Sequence, residues 1–178
     1  MHLSHNFAAL WLQAAGAGEG IGYLGLVLGI SVLALLVGYL FARYVLVQDT
    51  GTAQMQKISN AIKEGAEAFL RRQNKTIIAL AIVLAAIIYA GYVFGKGDSA
   101  LAFRMTVSFA VGAICSLVAG FSGMWVSIRA NIRVASAART DLDRALKIAL
   151  RGGAVTGLGV VSLSLLGVGG LFWAFDGM

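Results

Sequence analysis

The chain has 178 residues, 59% of them hydrophobic and only 12% charged, with a formal net charge of +6. A soluble domain has about 25% charged residues, so this composition and a mean hydropathy of +0.84 exclude an ordinary water-soluble globule. A single cysteine, Cys115, excludes an internal disulfide framework. Four windows contain no Asp, Glu, Lys, Arg or His: Gly20 to Ala42, Thr76 to Gly95, Met105 to Ile128 and Gly152 to Phe175, which are 23, 20, 24 and 24 residues long. About 20 helical residues cross a hydrocarbon core roughly 30 Å thick, and there is no proline to interrupt any window. The pattern predicts an all-α, polytopic membrane protein with four transmembrane helices.

Residues 1–20 read as a short extracytoplasmic segment. It has no Lys or Arg, hence no positive n-region of a secretory signal, and Phe7, Leu10 and Trp11 form a short apolar face suited to the interface. His2 and His5 stand one helical turn apart, but two histidines without further ligands do not make a metal site. The first span, 21–42, has Tyr23 near one end and Tyr39 and Tyr44 near the other, the placing of aromatic rings at two water boundaries. Its Gly25 and Gly29 form a small-xxx-small pair that permits close helix approach.

Residues 43–75 form the longest charged run. Met55, Ile58, Ile62, Ala66 and Phe69 recur at steps of three and four, the repeat of one helical face. Lys57, Lys63, Glu64, Glu67 and Arg71 fall elsewhere on the wheel, and Glu67 is spaced to pair with Arg71. On periodicity alone this is an amphipathic connector lying on a membrane surface. The second span, 76–95, ends with Tyr89 and Tyr92, and a link over 96–104 turns the chain. The third span, 105–128, carries Gly112, Ser116 and Gly120 at four-residue steps, predicting a close helix contact. Residues 129–151 read as a helical hairpin. Its third helix runs to about Ala138, its fourth starts near Asp141, and Thr140 with Asp143 fits a capping box. The hairpin would stand about 15 Å beyond the span. The fourth span, 152–175, has Gly153 and Gly157 and ends near Trp173.

Of the fourteen Lys and Arg, six lie in 43–75, six in 129–151, two in 96–104 and none at the termini. Basic loops stay in the cytoplasm, so both termini are expected outside and the two helical loops inside. The positive charge then faces anionic lipid and needs no nucleic-acid partner.

Chemistry is sparse. The four spans hold no Asp, Glu, Lys, Arg or His, and such residues inside a membrane are the default sign of a proton relay or ion site. Cys115 lies mid-span as a small packing residue. The run Arg151-Gly-Gly-Ala-Val-Thr-Gly-Leu-Gly159 lacks the Gly-Lys-Ser/Thr ending of a phosphate loop and opens a lipid span. Asp141 and Asp143 are the carboxylates nearest to a Mg2+ pair, yet their helix-start position already accounts for them. No residue is assigned a catalytic, cofactor-binding or metal-ligating role.

Three stretches carry a family resemblance. EGAEAFLRRQ (Glu64 to Gln73), GAICSLVAGFSGMWVSIRANIR (Gly112 to Arg133) and ALKIALRGGAVTGLGVVSLSLLGV (Ala145 to Val168) resemble the opening cytoplasmic segment, third helix and fourth helix of the membrane-bound, ion-translocating inorganic pyrophosphatases. Asn74 stands where the family usually has tyrosine, and Thr-Asp-Leu-Asp (140–143) replaces a Gly-Leu-Asn type of turn. The resemblance implies a homodimeric pump of about sixteen helices in the cell membrane, hydrolysing pyrophosphate on Mg2+ to move H+ or Na+ outward. It equates this chain with the first four helices. In the family the acid-rich DxxxD motifs and lysines of the pyrophosphate site lie on later helices, as do the determinants of the moved ion and of any K+ requirement. The chain is therefore expected to be the N-terminal membrane portion of such a pump, partnered by its remaining helices and lipid, and inactive alone. The alternative is a stand-alone four-helix structural or assembly subunit without catalysis. A small four-helix exporter is disfavoured by the lack of intramembrane carboxylates.

Overall fold

A computed structural model describes residues 17–175. Those residues form four helices: α1 (Ala17–Val47), α2 (Ala53–Lys96), α3 (Ser99–Ala137) and α4 (Leu142–Ala174). Each is long and apolar enough to cross a membrane, and no strand occurs among the described residues. The expected all-α membrane architecture is what the chain adopts. His2, His5, Phe7, Leu10 and Trp11 lie outside the described residues.

Local chemistry sets the helix ends. Thr52 caps α2, its Oγ1 accepting from the Met55 amide at 3.4 Å. At the other end Gly97, with φ of 68°, takes the left-handed turn that only a residue without Cβ adopts cheaply, and its N–H donates to the Val93 carbonyl. Asp98 follows at once and caps α3, accepting from the Ala100 and Leu101 amides at 2.9 and 3.0 Å. The turn between α2 and α3 therefore contracts to Gly97 and Asp98, because both helices extend through the expected link. Between α3 and α4 the cap is Asp141, which accepts from the Arg144 amide. It sits one residue later than the Thr140–Asp143 pattern suggested. Thr140 instead donates back to the Ala137 carbonyl.

Residues 43–47 close α1, and from Ala53 onward the charged run and the second span are one uninterrupted helix of 44 residues. At 1.5 Å per residue it is about 66 Å long, more than twice the thickness of a hydrocarbon core, so roughly half stands beyond it. The connector thus continues directly into its span as one helix. Its predicted apolar face is covered only in part by this chain: Met55 and Ala66 are half-buried, while Ile58, Ile62 and Phe69 are about 60% exposed. The face turned to α3 bears Ser59, Lys63, Leu70 and Asn74 instead.

Helices α3 and α4 form the central antiparallel pair, α1 packs on α4, and α2 packs on α3 alone. The tightest core lies at the basic end of the bundle, where Val45, Ala130, Ala137, Ala145 and Ile148 meet, flanked by Tyr44 and Val134. Along the spans most large apolar side chains point outward, among them Leu33, Leu40, Ile82 and Val161. Such a surface suits lipid or further helices and would be a liability in water.

Candidate functional region at the basic end of the bundle

Three polar links tie the end of α1 and the α1–α2 loop to the α3–α4 hairpin. Asp49 Oδ2 accepts from Ser136 Oγ at 2.7 Å and from the Gly51 amide at 3.0 Å. Arg133 Nη2 donates to the Leu46 carbonyl at 2.8 Å, and Arg144 Nη2 to Gln48 Oε1 at 2.8 Å. Gly51 has φ of 73°, and a Cβ there would meet Met55 Sδ at 2.8 Å and Ser136 Oγ at 3.1 Å. The loop thus requires glycine twice over, for conformation and for space. The Ser136 hydroxyl, followed by the Gly51 amide, holds the Asp49 carboxyl below its ordinary pKa by bonding its charged form.

Beneath this clasp is a cavity of about 200 Å3 lined by Arg133, Arg139, Arg144 and Asp49. Its cations outnumber its carboxylates, so its potential is positive. Its one hydroxyl–carboxylate pair, Ser136 with Asp49, is the hydrogen bond that forms the clasp. Arg129 bridges helices: its Nη2 lies 3.0 Å from Glu67 Oε1 on α2, and its guanidinium stacks on Trp125 at 3.7 Å. Arg151 stacks similarly on Tyr44, at 3.8 Å, joining α4 to α1. Glu67 therefore pairs with Arg129, 62 residues away, rather than with Arg71, and Lys63 at 4.0 Å is its second partner.

The structure brings the three resemblance stretches to one level. Glu67 of the first meets Arg129 of the second. Ala130 of the second faces Gly152 of the third, where an added Cβ would lie 3.2 Å away. Gly123 is tighter: a Cβ would fall 2.6 Å from Thr156 Cγ2.

The glycine stripes expected to pack do otherwise. Gly112, Ser116 and Gly120 are exposed, and a Cβ on either glycine would touch nothing within 4 Å. The same holds for Gly25 and Gly29 and for Gly153 and Gly157. The close contacts fall on Gly123, Gly152 and Gly169, which four-residue spacing passed over. Two of them fall in a seven-residue repeat of small residues, Gly123, Ala130 and Ala137 on α3 and Ala145 and Gly152 on α4, while Gly169 lies outside it, against Leu28 of α1. The repeat has the period of a helix–helix seam.

The weighed chemical candidates resolve into structural roles. Cys115 faces α4, its Sγ 3.4 Å from a Cβ built on Gly167. Asp141 is a helix cap and Asp143 pairs with Lys147. Glycines 152, 153, 157 and 159 lie inside α4 and form no loop. Among the described residues no three His, Cys, Asp or Glu side chains converge to hold a metal ion. Asp141 is committed to the start of α4 and Asp143 to Lys147, and no third carboxylate joins them among the described residues.

A family model described as inorganic H+ pyrophosphatase matches residues 32–178. The K(+)-insensitive pyrophosphate-energized proton pump of Caldanaerobacter subterraneus subsp. tengcongensis is 49% identical over 162 residues, 88% of this chain and 23% of that protein. A second, K(+)-insensitive pyrophosphate-energized proton pump 2 of Moorella thermoacetica, is 47% identical over 147 residues, 83% of this chain and 20% of the relative. Pyrophosphate-energized membrane proton pump 3 of Arabidopsis thaliana is 38% identical over 156 residues, 82% of this chain and 20% of the relative. The chain spans about a fifth of the length of these relatives.

Proposed function

Because the chain belongs to the inorganic H+ pyrophosphatase family, we propose that it is the N-terminal membrane portion of a pyrophosphate-energised pump for H+ or Na+. It is a multi-pass integral membrane chain of four apolar helices. In the proposed arrangement it sits in the cell membrane with both termini outside and the two basic loops in the cytoplasm. It pairs with the pump's remaining helices, within a homodimer.

The observation that carries this reading is a similarity covering most of this chain and about a fifth of each relative. The open glycine stripes on α1, α3 and α4 and the uncovered Ile58, Ile62 and Phe69 support it, since small residues invite further helices. The role that follows is scaffolding. The clasp at Asp49 and the stacked, paired Arg129 hold four helices in register at the cytoplasmic end, and hydrolysis on Mg2+ belongs to the rest of the pump. Pyrophosphate hydrolysis needs metal ions bridged to carboxylates, so this chain alone is proposed to be inactive.

Two reconstitutions test this. The chain alone in vesicles, given Mg2+ and pyrophosphate, should release no phosphate above an empty-vesicle control. A chimera of the Caldanaerobacter pump, carrying this chain in place of its matched segment, should retain pyrophosphate-driven proton uptake. Phosphate release by the chain alone that is lost in Asp141→Ala or Asp143→Ala would overturn the scaffold role. A chimera that inserts and melts normally yet takes up no protons would favour the stand-alone subunit.

A further inference from the structure

Between α2 and α3, on the basic side of their spans, runs a groove of about 480 Å3. Its upper part is lined by Arg71, Lys75 and Arg129, its lower part by Ile78, Phe121 and Trp125. Lys75 immediately precedes the uncharged window that begins at Thr76, and Arg129 immediately follows the one that ends at Ile128. The two helices are antiparallel neighbours, so both cations stand at the same edge of the apolar slab. From Arg71 to Ile78, and from Arg129 to Phe121, the lining passes from cationic to apolar within about 10–12 Å. Ile78 and Phe121 are 47% and 48% exposed.

Three cations face one carboxylate, Glu67, which is engaged by Arg129 and Lys63. Among the described residues neither Arg71 nor Lys75 has a carboxylate within ion-pair distance. Helix α2 packs on α3 alone, so among the described residues no other helix covers the groove. Basic pockets between spans at the headgroup level recognise anionic lipid. A soluble anion would use only the upper half.

We propose that this groove binds an anionic phospholipid, its phosphate between Arg71, Lys75 and Arg129 and an acyl chain along Ile78, Phe121 and Trp125. The site is built by α2 and α3 of this chain, and its test reads lipid contact rather than pumping, so its failure leaves the pump reading standing.

Trp125 supplies the probe. In a Trp11→Phe, Trp173→Phe background it is the remaining tryptophan. The purified chain in phosphatidylcholine nanodiscs is titrated with phosphatidylglycerol brominated on its acyl chains, and Trp125 quenching is followed. Quenching should saturate at lower mole fraction than with brominated phosphatidylcholine. Arg71→Gln with Lys75→Gln should weaken it on the order of 30-fold, from roughly fivefold per cation. Lys57→Gln with Lys147→Gln removes the same charge outside the groove and should change it less than about twofold. Melting curves of both pairs check that the fold is kept. Equal quenching by brominated phosphatidylcholine overturns the site. So does equal weakening by the two charge pairs, which would reduce it to a diffuse surface field, or displacement of the lipid by millimolar inorganic phosphate.

Discussion

Asp49 shows how one exposed carboxylate organises a loop that no sequence motif marks. Its bonds from Ser136 and Gly51 join residues 87 and 2 positions away, and both favour the ionised form. Because the folded-state pKa is lowered, the stabilisation is present above the unfolded value of about 3.9. It is lost as pH falls through the folded value. Asp49→Asn should therefore melt below the wild type in detergent at pH 7, and the two melting curves should converge as pH drops below about 4. A gap of the same size at pH 7 and pH 3 would mean that the hydrogen-bond geometry, and not the charge, holds the clasp.

At the level of elements, the α3–α4 seam decides where volume is tolerated. A Cβ on Gly123 would crowd Thr156 at Cγ2, Oγ1 and Cβ, at 2.6, 2.7 and 3.0 Å. Threonine is stiff at χ1 in a helix, so the helices themselves must part. Overpacking of about 1–3 kcal/mol exceeds the gain of roughly 1 kcal/mol that alanine brings over glycine in a helix. Gly123→Ala should thus destabilise the chain by up to about 2 kcal/mol, judged by denaturation in mild detergent. Adding Thr156→Ala should recover at least half of the loss in a double-mutant cycle. Gly120→Ala, on the four-residue stripe expected to pack, should instead leave the chain no less stable than the wild type, since a Cβ there meets nothing within 4 Å. Equal losses at Gly120 and Gly123 would contradict the seam.

For the whole molecule, the twelve-to-two division of cations between the two loop ends supports the proposed orientation. Ser99, at the start of α3, lies at the sparsely charged end, and Ser59, on α2, at the basic end. In a Cys115→Ala background, a membrane-impermeant thiol reagent added outside intact cells should label Ser99→Cys and spare Ser59→Cys. Labelling of Ser59→Cys from outside would invert the molecule and move the Asp49 clasp to the extracytoplasmic face. The same end view explains why the bundle holds together as it does. Its buried core and its cross-helix polar bonds concentrate at the basic end, while the spans expose leucine, isoleucine and valine outward.

Composition, uncharged windows and the lack of proline were enough to read four membrane-length helices from the sequence, because lipid demands long apolar helices with every backbone group satisfied internally. Three local motifs likewise sufficed for the family resemblance. The cap residues were partly legible, since Thr140 and Asp143 bracket the true cap at Asp141. What side chains do across helices was not. Glu67 has a basic residue four positions on, yet it bonds Arg129, because α3 brings a guanidinium already braced on Trp125 within 3.0 Å. Glycines at four-residue steps occur on several faces of these helices, and spacing alone does not say which face meets a neighbour. Only the crossing of α3 with α4 selected Gly123 and Gly152 and left Gly112 and Gly120 open, because close approach depends on the azimuth of two helices at once.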